Sequence, residues 1–364
     1  MSGEREPIIV VVGGFLAAGK TTLILKAAQV LNERGLRVAA LFNDQGHDLV
    51  DSRYAESVGI RSGEVVGGCF CCRLSDLVEQ IENLEEFSPD VIFAEPVGSC
   101  TDLAATVIRP LRELRWEKNF RFRLAPLSVL VDPERARELL ADEGDVSMRF
   151  LFEKQIQEAD LVCFTKSDVS SSYPEVNAAH VRQISARTGQ GMAAWLDEVL
   201  GGAITGGERA LSIDYEQYAK AEAALAWLNL RAELRLRKAQ SPAMLLGPFL
   251  DSLAEALSNA DMRVAHLKAI VSGPTGFLKA AMAKPGQEPE LEGNLDASSA
   301  NEFELLLNLR AVAEPAKLEA LVLEKLGLFE KETTSMEIDC FRPSAPVPEL
   351  RIPCDCILNL TAQD

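Results

Sequence analysis

Gly14-Phe-Leu-Ala17-Ala18-Gly19-Lys20-Thr21 matches the pattern G-x-x-x-x-G-K-[ST] without a departure. The chemistry of such a run is phosphate binding. Its glycines let the backbone curl so that successive N–H groups face one anion. Lys20 is placed to reach the β- and γ-phosphates, and the hydroxyl of Thr21, with Thr22 behind it, to hold Mg²⁺. A helix opening near Thr21 adds its positive end to the same site. A Mg²⁺ site needs a carboxylate at the end of a neighbouring strand, and Asp90-Val-Ile-Phe-Ala-Glu95 supplies Glu95 there. Gly98, three residues on, offers a backbone N–H to the γ-phosphate.

Base choice is read from Thr165-Lys166-Ser167-Asp168, which closes another strand-like run. A carboxylate at Asp168 accepts from guanine N1–H and the exocyclic amine, groups that adenine arranges differently. The Lys166 stem lies along the base, and Ser185-Ala186-Arg187-Thr188-Gly189 closes over it. GTP with Mg²⁺ is therefore the expected nucleotide, with Lys20, Thr21 and Glu95 as its catalytic residues.

The second reactive run is Gly67-Gly68-Cys69-Phe70-Cys71-Cys72. Thiolates this close suit Zn²⁺ or another thiophilic ion. In an extended segment Cys69 and Cys71 share one face and Cys72 takes the other; a turn would let two or three converge. A further ligand must come from elsewhere, and His47 and Cys100 are the candidates, although buried structural roles are favoured for both. The opposing reading of the triplet is small buried apolar cysteines. Cys163 sits in a buried strand pattern and reads as core, as do His180 and His266 in strand-like runs. Cys354-Asp-Cys356 is either a second grip on a mobile tail or a coincidental pair.

Strands alternating with helices must position these groups. Ile8–Val12, Arg37–Phe42, Asp90–Ala94, Leu127–Val131 and Leu161–Thr165 read as strands, with helices at Thr21–Arg34 and Met192–Leu200 between or after them. That alternation predicts an α/β P-loop NTPase domain over 1–205, a parallel sheet flanked by helices with ligands at the strands' carboxyl ends. A linker is expected over 206–218, following the Gly-rich Gly201–Gly207, then a smaller α+β domain over 219–345 and a Pro-rich tail over 346–364. In the second domain, Ala223–Leu236, Arg263–Val271, Phe303–Ala311 and Met336–Phe341 read as strands. Pro248–Leu257 and Pro315–Leu326 read as helices, and the stretch from Val271 to about Asn301 as a loop. This is the ferredoxin-like β-α-β-β-α-β order. An internal echo, Leu228-Asn-Leu-Arg-Ala232 against Leu307-Asn-Leu-Arg-Ala311, supports two β-α halves, although Ala219–Leu236 also has helical composition.

At 364 residues, 47% hydrophobic and 25% charged, the chain has the composition of a globular protein with more than one domain. A net charge of −18 argues against nucleic acid and anionic membrane surfaces as partners. The polar N-terminus lacks a secretory signal and no apolar run approaches a membrane span, so a cytoplasmic protein with reduced thiols is expected.

The P-loop together with Gly68-Cys69-Phe70-Cys71-Cys72 resembles the CobW-type metallochaperone GTPases. These belong to the SIMIBI class of P-loop GTPases, with the hydrogenase- and urease-maturation GTPases. Gln157-Glu-Ala-Asp160-Leu-Val-Cys-Phe-Thr165-Lys166 is similar to the family's approach to its guanine motif. The resemblance implies Lys20, Thr21 and Glu95 for phosphate and Mg²⁺. It implies Lys166 and Asp168 for guanine, and Cys69, Cys71 and Cys72 for a transition metal. It favours Zn²⁺, then Co²⁺ because corrinoid-related clients occur in the family, with Ni²⁺ also accommodated. Two segments depart from the family pattern. Asn43-Asp44-Gln45-Gly46, followed by His47, Asp48 and Asp51, stands for Asn-Glu-x-Gly in the first switch. Glu95-Pro-Val-Gly98-Ser99-Cys100 stands for Glu-Thr-Thr-Gly. The implied activity is GTP hydrolysis that releases the switch segments and with them the metal, for delivery to a client protein. No arginine finger is evident, so a second copy of the chain or the client is expected to complete activation. The rival expectations are a P-loop small-molecule kinase and an assembly switch with structural cysteines.

Overall fold

Ile8-Ile-Val-Val-Val-Gly-Gly14 is buried at every position but its first, as expected of a strand covered on both faces. A computed structural model of the protein describes residues 6–46, 50–117, 121–141, 145–283, 287–327 and 331–353. The described residues fall into two units: those within 6–45, 55–221 and 345–353 form one, and those within 46–54 and 222–344 the other.

The first unit runs β1 (Ile8–Gly14), α1 (Lys20–Glu33), β2 (Val38–Asn43), α2 (Val50–Ser57), β3 (Arg61–Val65), α3 (Leu74–Leu84) and β4 (Val91–Glu95). A π-helical turn at Ala104–Ile108 leads into α4 (Arg109–Glu117), then β5 (Arg123–Leu124), β6 (Ser128–Val131) and α5 (Pro133–Leu140). The unit continues with α6 (Val146–Glu158), β7 (Leu161–Phe164), β8 (Val181–Gln183), α7 (Met192–Gly201) and α8 (Tyr215–Glu222). The first turns of α2 are shared with the second unit. The strands form a sheet in the order β3-β2-β4-β1-β6-β7-β8, with β5 beside β1, and every pairing is parallel. This is the helix-flanked parallel sheet of a P-loop protein. β1 lies centrally, so the loops leaving β1, β4, β6 and β7 open at one edge. Trp195 on α7, fully buried, stacks on Phe93 of β4 at 6.2 Å and donates its indole N–H to Ser128 Oγ at 3.0 Å, satisfying its one polar atom.

The second unit runs β9 (Leu225–Gln240), α9 (Pro242–Asn259), β10 (Arg263–Gly273), β11 (Gly276–Met282), β12 (Glu290–Gly293), β13 (Ala300–Val312), α10 (Pro315–Leu326) and β14 (Lys331–Phe341). Its antiparallel sheet has the order β12-β11-β10-β13-β9-β14. Strands β9, β10, β13 and β14 with helices α9 and α10 make the expected split β-α-β pair, and β11 and β12 extend its β10 edge. The repeated segments lie on adjacent strands, with Asn229 opposite Asn308 and Leu230 opposite Leu307. The antiparallel register therefore relates the two halves by a local two-fold axis. Ambiguity over Ala219–Leu236 resolves at Leu225: the chain is helical to Glu222 and strand thereafter.

Two expectations for this unit fail. The stretch after Val271 is not a loop: Gly273-Pro-Thr-Gly276 turns a hairpin into β11, and β12 extends the sheet further. The first helix of this unit begins at Pro242, not Pro248. Ser241 Oγ caps it by accepting the Met244 N–H at 3.3 Å, and Pro248 lies inside the helix. Among the described residues no helix is long and apolar enough to cross a membrane.

Candidate nucleotide and metal site

The P-loop leaves β1 at Gly14, whose φ of 130° and contact with β6 admit no side chain: a Cβ there would lie 2.4 Å from the Leu130 carbonyl oxygen. Ala17 also takes positive φ, the Ala18 N–H donates to the Phe15 carbonyl at 3.1 Å, and Gly19 in the left-handed region starts α1. Lys20 Nζ donates to the carbonyls of Gly14 (3.0 Å) and Phe15 (3.4 Å) and lies 3.8 Å from Glu95 Oε1. The Thr21 hydroxyl donates to the Glu95 carboxylate at 2.9 Å, and Thr22 follows in the same turn of α1. Thr21 and Glu95, both buried, thus bring hard oxygen donors together beside the loop, a donor set that fits Mg²⁺. Gly98 belongs to the same cluster: a Cβ on it would approach Lys20 Nζ at 3.1 Å and Leu16 Cδ2 at 2.7 Å.

The residues expected to read the base gather at the carboxyl ends of β6, β7 and β8. Thr165 Oγ1 donates to the Val131 carbonyl at 3.3 Å, and Lys166, at positive φ, pairs with Asp132 at 3.1 Å. Ser185, followed by half-buried Ala186, donates its hydroxyl to Asp168 Oδ1 at 2.7 Å, while Arg187 pairs with the other oxygen. The Ser185 bond, then Arg187, holds the Asp168 carboxyl below the usual range. A carboxylate that stays ionised and oriented is what guanine recognition needs.

The three cysteines converge. The turn in which the Cys72 and Arg73 N–H groups both donate to the Cys69 carbonyl at 2.9 Å brings Cys69 Sγ to 2.8 Å from Cys71 Sγ and 3.3 Å from Cys72 Sγ. Cys71 and Cys72 Sγ are 3.7 Å apart. An extended segment would have split them, so the turn makes the cluster. Among the described residues this is the one group of three or more Cys, His, Asp or Glu ligand atoms close enough to share a metal ion. Hydrogen bonds from Cys100, then Cys71 and Cys72, hold the Cys69 thiol well below its ordinary range despite burial. The Cys71 thiol is pushed up by its bonds to Cys100, Cys69 and Cys72 and by burial. The bond with Cys69 pushes Cys72 to about 11. Burial pushes the Cys163 thiol up, in keeping with a core role. His47, Asp48, Cys354 and Cys356 lie outside the described residues.

Two contacts that motif reading missed hold this turn. Asn43, the last residue of β2, accepts the Phe70 N–H at 2.8 Å and donates to the carbonyls of Gly68 (2.7 Å) and Val65 (2.9 Å). The conspicuous Asn43-Asp44 pair was the available signal, but not its target. The tail segment Ala345–Pro353 also returns to the first unit. Its Val347 N–H donates to Cys72 Sγ at 3.2 Å and its Glu349 N–H to the Cys71 carbonyl at 2.9 Å. The Glu349 carboxylate accepts the Ser75 N–H (3.0 Å) and hydroxyl (2.6 Å), capping α3, whose own N-cap makes no side-chain bond.

A P-loop over a helix-flanked parallel sheet defines a P-loop nucleotide-binding protein. The model of the CobW/HypB/UreG nucleotide-binding domain matches residues 8–191, half of the chain, which therefore belongs to this family. Two curated relatives come from Escherichia coli (strain K12). The zinc chaperone YjiA is 27% identical over 183 residues, 48% of this chain and 53% of YjiA. The zinc chaperone YeiR is 34% identical over 166 residues, 43% of this chain and 45% of YeiR. The match thus spans about half the length of each relative. Among solved structures, HypB from Helicobacter pylori in complex with nickel is 11% identical with a TM-score of 0.41, covering 57% of this chain and 92% of that one.

Proposed function

We propose that the protein is a GTP-hydrolysing carrier of a thiophilic divalent metal, zinc first and cobalt next, that passes its cargo to a client protein. The observation that carries this reading is the Asn43 side chain. It ends the strand that leads into the first switch and is bonded on both of its polar atoms to the turn bearing Cys69, Cys71 and Cys72. Displacement of the switch therefore pulls on the ligand turn directly. The zinc-chaperone names of two relatives support the choice of cargo.

Phosphoryl transfer to water needs positioning and charge stabilisation, with no side-chain nucleophile. Lys20 and the P-loop N–H groups would hold the γ-phosphate, and Gly98 would offer its N–H from the other side. Bound Mg²⁺, held by Thr21 with Glu95 beside it, would supply charge neutralisation at the phosphates. Loss of the γ-phosphate would free the first switch and the Gly98 segment, because their contacts to it are what order them. Asn43 then loosens the cysteine turn and metal affinity falls.

Competition against a chromophoric chelator, in GTP-analogue–Mg²⁺ and in GDP–Mg²⁺, tests this. Zinc affinity should fall at least tenfold in GDP and be abolished in Cys71→Ser. Equal affinity in both nucleotide states would leave a GTPase whose cysteines are structural.

A further inference from the structure

Zinc in a closed site takes four ligands, and Cys69, Cys71 and Cys72 supply three. The thiol of Cys100 stands beside them, within hydrogen-bonding reach of both Cys69 and Cys71. Three sets of contacts hold its segment in this arrangement. The Cys100 N–H donates to the Val97 carbonyl at 2.9 Å. Gln155 on α6, itself buried, donates its amide to the carbonyls of both Gly98 (3.0 Å) and Cys100 (2.8 Å). The next residue, Thr101, donates its hydroxyl to the buried Glu158 at 3.2 Å. Cys100 is 1% exposed, so solvent is not the partner of its sulfur.

Three of the four sulfurs already lie within 4.8 Å of one another, and Cys100 would move in from beside Cys69 and Cys71 to complete a four-sulfur shell. With Zn–S bonds of about 2.3 Å, the edges of a tetrahedron are about 3.8 Å. The Cys71–Cys72 separation of 3.7 Å already has that length, and the Cys69–Cys71 pair at 2.8 Å would have to open. Four thiolates and no oxygen ligand select zinc, or cobalt in the same geometry, over hard cations. Binding displaces a proton to solvent from each thiol not already ionised.

We propose that Cys100 is the fourth ligand of the cargo metal, carried on the segment of Gly98, so that nucleotide state sets the coordination number. With the γ-phosphate holding Gly98, Cys100 closes a four-thiolate site. Without it the segment withdraws, and three thiolates with one open position remain for ligand exchange with a client. This deepens the carrier reading and rests on it. It also gives a role to the departure at Glu95-Pro-Val-Gly98-Ser99-Cys100, where a thiol follows the shortened set of hydroxyls.

Cobalt(II) is the probe for ligand count, because each bound thiolate adds near-ultraviolet charge-transfer intensity. In the GTP-analogue state, Cys100→Ser should lose about a quarter of the intensity per cobalt, one ligand of four, and about 10- to 100-fold in zinc affinity. Cys340→Ser, in the second unit, should change neither. Zinc-edge X-ray absorption on the wild-type chain makes the test independent of how the variant folds. Four sulfurs near ~2.3 Å are expected with the GTP analogue, and three with GDP. Three sulfurs and one nitrogen or oxygen in both states, with Cys100→Ser binding zinc as the wild type does, would overturn the proposal and leave a three-cysteine carrier. Four sulfurs in both states would overturn the gate. Failure of the wild type to bind either metal would remove the carrier reading as well.

Discussion

Glu158 is fully buried at the end of α6, where it accepts the Ala104 N–H at 3.0 Å and the Thr101 hydroxyl at 3.2 Å. It thereby pins the segment that follows Cys100. Burial, reinforced by the neighbouring charge of Asp102, pushes its carboxyl up to about 8. The folded chain then holds a proton that the unfolded chain releases near the ordinary Glu range of about 4.3. Between those values the native state binds more protons, so stability falls as pH rises, and levels off above about 8. Glu158→Gln keeps an acceptor for the Ala104 N–H and lets the Thr101 hydroxyl turn to accept. It should flatten this slope and stabilise the protein at pH 9 by up to ~5 kcal/mol, read from denaturant midpoints at pH 5.5 and 9. An unchanged slope would show that Glu158 is charged in the fold. The sequence made the P-loop and the cysteines legible residue by residue, because each motif is local. The roles of Glu158, Asn43 and Gln155 were hidden, since each acts on backbone groups 22 to 57 residues away in the chain.

Among the elements, the tail is the clearest case of structure that leaves no periodic trace. Its prolines read as an irregular end, and irregular it is, yet Arg351 pairs with the fully buried Asp102 at 2.7 Å and donates to the Leu211 carbonyl at 2.8 Å. The Tyr215 hydroxyl donates to the same carboxylate at 2.7 Å. Arg351→Ala leaves a buried charge with one neutral donor and should cost about 2–3 kcal/mol, measured as a lowered urea midpoint. The loss should come with faster amide exchange at the start of α3, which Glu349 of the same strap caps; a change smaller than ~0.5 kcal/mol would mean that the tail is loosely held in solution. The hairpin β11–β12 escaped the sequence reading for a related reason. Phe277-Leu-Lys-Ala-Ala-Met282 is poor in β-branched residues, and the Pro-Thr-Gly before it looks like a loop until β10 is there to pair with it. Pro248 misled in the opposite sense, because proline is favoured at a helix start but is here carried within α9.

At the scale of the molecule, the chain's partition into units cuts through the segment after the first switch. Asn43 belongs to the first unit and grips the cysteine turn, whereas Gly46–Tyr54 belongs to the second. There Lys268 of β10 binds both Asp51 carboxylate oxygens at 2.6 Å, and Asn308 of β13 accepts the Val50 N–H at 3.1 Å. Asn308 in turn donates to Asn229 at 3.0 Å on the local two-fold axis, and Arg310, stacked over Trp227 at 4.2 Å, donates to the same Asn229 oxygen. A few residues of chain thus join the clip on the metal ligands to a clip on the second sheet. If the switch moves with the nucleotide, residues 50–57, held by the Asp51–Lys268 pair of the second unit, are the segment in which the motion is to be read. Deuterium uptake over residues 50–57 should be higher with GDP than with the GTP analogue, while the centre of β9 stays unchanged. Lys268→Ala removes the second clip. It should raise uptake over 50–57 in both states and erase most of the difference between them. Equal uptake in the two states of the wild type would make Gly46–Tyr54 a static anchor and confine nucleotide sensing to Asn43 and the Gly98–Cys100 segment.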